Sequence, residues 1–195
     1  MAVDVDGEVL TANQAARRKR VVDAAMTLAS EGGYDAVQMR DVAREASVAM
    51  GTIYRYFASK DHLLAACQVE FSREVQQRLD ARPARGRTPA DRVVDVVRRA
   101  TRAMERRPLL TSAMVTAISS PDPAVQGCQR EVTTIMVDVL SEPMSDLDDE
   151  RKARVVRVLS HVWFSSLLGW VNGWTTVDAV GDELESAARL LLRPA

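Results

Sequence analysis

Residues 38–64, QMRDVAREASVAMGTIYRYFASKDHLL, contain two short helical patterns joined by a tight turn, and a third helical pattern follows at once. The second pattern is rich in small residues and tyrosines, whereas charged residues are sparse in it. A helix of that composition suits the major groove of DNA, because it brings backbone, hydroxyls and ring edges close to phosphates and bases. The segment therefore predicts a helix-turn-helix that reads DNA.

The apolar positions of this segment separate a predicted core from an outer surface. The predicted core comprises Val42, Ala43, Ala46, Val48, Ile53 and Phe57. The hydroxyl-bearing side chains of the second helix cannot all share the inward face with these residues, so we predict that they face outward. The predicted DNA-binding residues here are Gln38, Arg40, Ala49, Met50, Gly51, Thr52, Tyr54, Tyr56 and Lys60. Plain core packing of the small residues and tyrosines is the alternative.

A cluster of basic residues, RRKR at 17–20, lies near the start of the first predicted helix. Positive charge at a helix N-terminus opposes the helix dipole, which favours an external anionic partner. We predict that Arg17 and Arg18 reach phosphates or an adjacent minor groove. A solvated helix turn is the alternative.

The bulk properties restrict the class of protein. The 195 residues carry a net charge of −1, so any affinity for nucleic acid must come from a local patch. Cys67 and Cys128 lie far apart in apolar patterns, which predicts buried thiols in a reducing cytoplasm. The acidic N-terminus lacks the basic region of a signal peptide, and the apolar stretch at 162–171 is too short to span a bilayer.

Helical periodicity predicts an all-α chain of about nine helices. We predict a disordered tail at 1–12, a three-helix DNA-binding head at 13–62, and a ligand-binding and dimerisation domain at 63–195. The first helix is expected at 13–31, and Ser59 is the predicted N-cap of the fourth. Later helices are expected to begin at Thr88-Pro89, Pro108, Asp122-Pro123, 146–150 and Val177.

The head resembles that of the TetR family of bacterial transcriptional regulators. The resemblance runs through Val42-Ala43, Ala46, Val48, Gly51–Phe57, Ser59-Lys60 and Leu63. Two positions depart from the family pattern, because Ser47 stands where glycine is usual in the turn and Met39 where a threonine usually caps the second helix. Ser47 is expected to adopt the turn with slight strain, and Gln38 or a neighbour to replace the cap.

A narrower resemblance points to a subgroup of the family, the actinobacterial repressors of cholesterol catabolism. It is carried by residues 32–34, 36–40, 107–111 with 113–114, and 162–170, and it is weaker at 76–103 and 117–150. It implies that an apolar effector, a CoA thioester of a steroid metabolite, weakens the grip on DNA. A multidrug or fatty-acid sensor is the alternative within the family.

The C-terminal half is rich in methionine and tryptophan, which line adaptable apolar pockets but also build ordinary cores. The candidate effector-binding residues are Met104, Met114, Ile118, Met136, Trp163, Phe164, Leu167 and Trp170. Arg98, Arg99, Arg102, Arg106 and Arg107 are candidates for a CoA head group. For Arg98, Arg102 and Arg106, a solvated stripe is the alternative.

The last two helices are apolar over wide faces, and the family implies that they pair two subunits. The predicted dimer residues are Val155, Leu159, Val162, Leu184, Ala188 and Leu191. A two-fold dimer requires a palindromic operator on double-stranded DNA.

Two other functional classes fit the sequence less well. An enzyme is disfavoured because the chain has no serine–histidine–aspartate set, carboxylate pair or glycine-rich phosphate loop. No metal site or cofactor is expected, since His161 has no second ligand at metal spacing. A plain architectural helical protein stays open, and a discrete DNA footprint would separate it from a repressor.

Overall fold

The computed structural model describes residues 9–193 of the chain, and every regular element within them is a helix. The helices are α1 (Ala12–Ala36), α2 (Met39–Glu45), α3 (Met50–Tyr56), α4 (Lys60–Asp80), α5 (Pro89–Glu105), α6 (Pro108–Ile118), α7 (Gln126–Ser141), α8 (Asp149–Val171) and α9 (Val177–Leu191). Two 3-10 turns, Pro123–Val125 and Glu142–Met144, precede and follow α7. The predicted all-α class with nine helices is confirmed for the described residues.

The first helix is longer than its periodicity predicted. Thr11 caps it through a capping box with Gln14, so helical structure begins at the end of the predicted tail; residues 1–8 of that tail lie outside the described residues. Helical geometry is interrupted at Gly32 and Gly33, where Gly33 has φ +69°, and one more turn then completes the element. The glycine pair marks a kink rather than the predicted end of the helix.

The chain divides into two compact units, each assembled from two separate stretches of the sequence. Unit 1 contains the residues up to Glu70 together with Arg107–Arg130, and in it α6 packs along α1. The segment Arg107–Arg130 was predicted as part of a C-terminal domain beginning at residue 63, but it folds with the head. Its largely apolar α6 buries Leu110, Ala113, Met114 and Ala117, which explains why it needs a partner helix.

Unit 2 contains Phe71–Arg106 and the residues from Glu131 onward. In it α9 packs against both α5 and α8. The start of α5 follows its sequence signals: Thr88 and Asp91 form a capping box, and Pro89 occupies the first turn.

None of the helices between residues 9 and 193 is both long and apolar enough to cross a membrane. Within the same range, no three His, Cys, Asp or Glu side chains come together as metal ligands would.

Candidate nucleic-acid interface

The helix-turn-helix is held together by most of the apolar residues that its sequence predicted. Val42, Ala43, Ala46, Ile53 and Phe57 are buried, whereas Val48 is half-buried. The turn closes through Val48 N, which donates to Ala43 O at 3.0 Å, and Ser47 N, which donates to Arg44 O at 3.2 Å. Ser47 has φ +53°, so a side-chain-bearing residue takes the left-handed conformation expected of it there.

The start of α2 has no side-chain cap, in keeping with Met39 standing where a threonine usually caps this helix. Gln38 occupies the N-cap position, but its side chain caps no backbone N–H of α2. Its Nε2 instead donates to Asp35 O at 3.0 Å and ties the end of α1 to the start of α2. Gln38 and Arg40 are both exposed, as predicted for DNA contacts.

The exposed surface of α3 consists of small residues, a phenol and a charge. Ala49, Gly51, Tyr54 and Arg55 are exposed, whereas Met50 and Thr52 are half-buried. Tyr54 keeps 50% of its area accessible. A Cβ added at Gly51 would meet nothing within 4 Å, so this face is open to the close approach of another molecule. Such a face is what contact with a DNA backbone requires.

The predicted outward orientation of Tyr56 is wrong. Its side chain is only 2% exposed, and its ring packs edge-on against Phe57 with centroids 6.4 Å apart. Ile53 and Tyr56 are three residues apart, so in a helix they share one face, and Ile53 is buried. Tyr54 rather than Tyr56 is therefore the exposed tyrosine of α3.

Lys60, in the first turn of α4, is held against the end of α1. Its Nζ lies 3.8 Å from the centroid of the Tyr34 ring, in cation–π geometry. The Tyr34 hydroxyl donates to Asp61 Oδ1 at 2.5 Å. Partial burial and this carboxylate raise the pKa of Tyr34 to about 12, while partial burial lowers the pKa of Lys60. Tyr34 was missed by sequence reasoning, because only its position after Gly32-Gly33 set it apart.

The basic cluster at 17–20 is divided between two faces of α1. Arg17 and Arg20 are exposed, and Lys19 forms an ion pair with Asp23 at 2.8 Å. Arg18 instead lies over the Phe57 ring, 5.0 Å from its centroid, and its Nε is buried without a hydrogen-bond partner. Arg18 is therefore half-buried, and its contact with DNA stays a prediction. It is three and four residues before Val21 and Val22, which are buried, so the helix turns it inward.

The candidate effector-binding residues are distributed over both units. Met114 and Ile118 are buried in unit 1, and Met104, Trp163 and Leu167 are buried in unit 2. Met136 and Trp170 are half-buried. Phe164 is 43% exposed, because it lies one position beyond Trp163 and faces away from the core. Its contact with an effector stays a prediction.

The arginines considered for a CoA head group have different surroundings. The Arg98 guanidinium pairs with Asp182 and Glu185 of α9, each at 2.7 Å, which satisfies its charge within unit 2. Arg99 donates to the carbonyl of Arg78 in the last turn of α4 and to that of Arg82, two residues beyond the helix. Arg102, Arg106 and Arg107 are exposed.

Most of the predicted dimer residues lie inside the chain. Val155, Leu159, Leu184 and Ala188 are buried in unit 2, where α8 packs on α9, so their assignment to a dimer surface is wrong. Val162 and Leu191 are half-buried. Periodicity identified apolar helix faces correctly, but it does not distinguish a face that packs within a chain from one that packs between chains.

Comparison with known proteins agrees with this architecture. Residues 21–67 match the family model described as bacterial regulatory proteins, tetR family, and residues 86–191 match the tetracyclin repressor-like C-terminal domain. The HTH-type transcriptional repressor KstR of Mycolicibacterium smegmatis is 41% identical over 194 residues, which cover 98% of this chain and 95% of that protein. The chain belongs to the TetR family.

Solved structures of TetR-family regulators share the fold. A TetR transcriptional regulator from Rhodococcus sp. RHA1 has a TM-score of 0.80 and 32% identity, covering 92% of this chain and 96% of the other. Thermus thermophilus FadR, a TetR-family repressor in complex with lauroyl-CoA, has a TM-score of 0.68 and 25% identity, covering 91% and 97%. This chain is a DNA-binding transcriptional repressor with a ligand-binding domain, and it is not an enzyme.

Proposed function

We propose that this TetR-family repressor binds a palindromic operator as a homodimer and releases it when a hydrophobic acyl-CoA, derived from a steroid or another lipid, binds its C-terminal domain. The genes it controls then serve steroid or lipid catabolism. The observation that carries the proposal is the 41% identity to a KstR repressor over nearly the whole of both chains. The sequence resemblance to repressors of cholesterol catabolism supplies the metabolic context.

The DNA contacts are assigned to side chains on the open face of the head. The proposed contact residues are Arg17, Gln38, Arg40, Ala49, Met50, Gly51, Thr52, Tyr54 and Lys60. Arginine and lysine supply phosphate contacts that do not depend on sequence, whereas α3 reads base edges. Lys60 is partly desolvated against Tyr34, so its ammonium is oriented before DNA arrives.

The apolar character of the effector is supported by the side chains available to contact it. Met104, Trp163 and Leu167 are large, apolar and buried in unit 2. Trp163 also buries its Nε1 without a hydrogen-bond partner. A buried N–H without an acceptor is costly, and a carbonyl of the effector would satisfy it. The lauroyl-CoA complex of the FadR neighbour supports a thioester as the source of that carbonyl.

The test begins with selection of bound DNA from a random pool by the full-length protein. The selected duplex is then titrated, in the presence of protein, with a CoA thioester of a steroid side chain, with lauroyl-CoA and with free CoA. We expect the steroid thioester to release the duplex and free CoA to leave it bound. Absence of a palindrome in the selected pool would refute the dimeric operator, and release by none of the thioesters would refute the effector class.

A Trp163→Phe variant sharpens this test, because it removes the N–H and keeps an aromatic ring. We expect a weaker response to the thioester, by about tenfold, with unchanged affinity for the duplex in its absence. An unchanged thioester response would remove Trp163 from the site without refuting the effector class.

A fatty acyl-CoA sensor is the second candidate, and the FadR neighbour favours it. The same titration separates the two, because release by lauroyl-CoA but not by the steroid thioester would assign the chain to fatty-acid metabolism. Release by cationic drugs instead would point to the control of efflux.

A further inference from the structure

Ser59 lies at a junction between the DNA-binding head and the segment that follows α6. Its Oγ accepts a hydrogen bond from His62 N at 3.1 Å, which caps α4, and donates one to Asp122 Oδ2 at 2.6 Å. Residues 59 and 122 are 63 positions apart in the chain, and both belong to unit 1. The bond therefore joins the start of α4 to a distant part of the sequence.

Asp122 has a second role of its own. Its Oδ1 accepts from Ala124 N at 2.9 Å and caps the 3-10 turn Pro123–Val125. The connection between α6 and α7 is closed further by Gln129, whose Nε2 donates to Ile118 O at 2.8 Å. The Asp122 carboxylate that accepts from Ser59 is therefore held in place by the hydrogen bonds of the α6–α7 connection. The bond to Ser59 lowers the pKa of Asp122, so the carboxylate is charged at neutral pH.

Ser59 can cap α4, and Asp122 can cap the 3-10 turn, without the hydrogen bond between Ser59 and Asp122. A serine without an external acceptor still caps α4, and an aspartate without Ser59 still caps its own turn. The additional bond fixes where the start of α4 lies relative to the end of α6. The residues between α3 and α4 are held as well, because Ala58 N donates to His62 Nδ1 at 3.2 Å.

The position of this junction matters for DNA contact. Ser59 directly precedes Lys60, and Ala58 and Phe57 connect it to the end of α3. Phe57 is fully buried beneath Arg18 and beside His62, with ring centroids 5.6 Å apart. A displacement at Ser59 would therefore be passed to Lys60 on one side and to α3 on the other.

We propose that Ser59 and Asp122 are positioning residues for operator recognition: their hydrogen bond holds α3 and Lys60 in the orientation that reads sequence. The α6–α7 connection thereby acts as a strut, meaning that it fixes the start of α4 and the end of α3 in the head. The proposal rests on DNA binding by the head, and it does not depend on the identity of the effector.

The decisive variant is Asp122→Ser in the full-length protein. Serine is a good cap for the 3-10 turn but is too short to reach Ser59, so the variant removes the bond and keeps the cap. We expect the selected duplex to bind about three- to tenfold more weakly, while a scrambled duplex of equal length binds as before. Removal of the Asp122 carboxylate would by itself strengthen binding to DNA phosphates. A loss of affinity for the selected duplex therefore cannot come from the change in charge.

Ser59→Thr is the matched control, because it retains both the cap and the donor hydroxyl, and we expect wild-type affinity. Ser59→Ala loses both functions, and adding Asp122→Ser to it should cause no further loss of specific binding, since the bond is already absent. Thermal unfolding measured in parallel shows that each variant is folded under the binding conditions.

The proposal is overturned if Asp122→Ser binds the selected duplex as tightly as wild type or more tightly. It is also overturned if specific and scrambled duplexes weaken together, or if the two substitutions act additively. Wild-type binding to a palindrome tests the operator proposal by itself, so failure of the strut and failure of the operator are distinguishable.

Discussion

At the scale of single residues, Ser47 adopts a conformation that glycine adopts without strain. It is the non-glycine residue with positive φ among residues 9–193, and its side chain is exposed. We expect Ser47→Gly to change the free energy of unfolding little, because relief of strain is offset by the greater freedom of glycine in the unfolded chain. Ser47→Val should cost about 1–3 kcal/mol, since a β-branched residue fits this region poorly.

Urea denaturation of both variants and of wild type measures the difference. The prediction fails if Ser47→Val unfolds at the same urea concentration as Ser47→Gly. Since the side chain of Ser47 is exposed, loss of packing would not account for a large difference.

The two tyrosines of α3 should respond differently to truncation. Tyr56 is buried, so Tyr56→Ala is expected to cost about 3–5 kcal/mol of unfolding free energy, as for other large core aromatics. Tyr54 is half-exposed, so Tyr54→Ala should change stability by less than about 0.5 kcal/mol and weaken binding to the selected duplex. Thermal unfolding and fluorescence anisotropy measure the two effects, and equal losses of stability would contradict the assignment.

His62 predicts a pH dependence of stability. Partial burial and the Arg18 charge lower the pKa of His62 despite the opposing charge of Asp122, and its Nδ1 accepts a hydrogen bond that protonation would remove. The unfolded chain therefore takes up this proton at a higher pH than the folded chain does, so stability falls as pH drops below about 6.5. Asp122, whose pKa is lowered, contributes only below about pH 4.

Unfolding free energies of wild type and His62→Gln between pH 7.5 and 5.5 measure this contribution. We expect wild type to lose more stability than the variant over that range. Parallel pH profiles would show that His62 titrates alike in the folded and unfolded chains.

Which side chains of the site are buried and which are exposed was the feature that the sequence predicted least well. Thr52, Tyr54 and Tyr56 carry the same chemical signal, but only geometry separates exposed Tyr54 from buried Tyr56. A seven-residue helix is too short for periodicity to define its faces. Arg18 shows the same limit, since a basic cluster suggests solvent or DNA while one member packs on Phe57.

At the scale of elements, sequence signals were sufficient wherever a local cap determines a boundary. The Thr88–Asp91 capping box starts α5 where predicted, and Ser59 caps α4 as predicted. The end of α1 was missed because Gly32-Gly33 reads as a stop, whereas Tyr34 continues the helix and packs its hydroxyl on Asp61. That tertiary contact is not encoded in the local pattern.

The capping box of α5 provides a test at this scale. Thr88→Ala removes the hydroxyl that accepts from Asp91 N at 3.1 Å, and it should cost about 1 kcal/mol of unfolding free energy. Thr88→Ser retains the acceptor and is the matched control, expected to behave like wild type. Urea denaturation distinguishes the two, and coincident curves for alanine and serine would show that the cap contributes nothing.

At the scale of the whole molecule, α6 shows why domain boundaries are hard to predict from order along the chain. Its apolar face was assigned to the C-terminal half, but it packs on α1 within unit 1. The same helix carries Met114 and Ile118, both candidates for effector contact. Under the proposed function, an effector that contacts Met114 or Ile118 would act on α1 through α6 within unit 1, because a ligand acts only through contacts that differ between two states.

The apolar residues left exposed on the last two helices suggest where a second subunit binds. The buried positions Val155 and Leu159 are used within the chain, whereas Val158, Phe164 and Leu190 remain exposed on α8 and α9. We expect Phe164→Glu to dissociate the proposed dimer, because burying an unpaired carboxylate in an apolar interface is costly. Operator affinity should fall with it, since two linked heads bind a palindrome far more tightly than one.

Val137→Glu on α7 is the matched control, because Val137 is 40% exposed and Phe164 43%. Sedimentation velocity at several protein concentrations gives the oligomeric state, and anisotropy with the selected duplex gives the affinity. Dimers that persist in Phe164→Glu would remove this face from the interface. Dissociation by Val137→Glu alone would assign the interface to α7, because in both variants the introduced charge and the initial exposure are nearly the same.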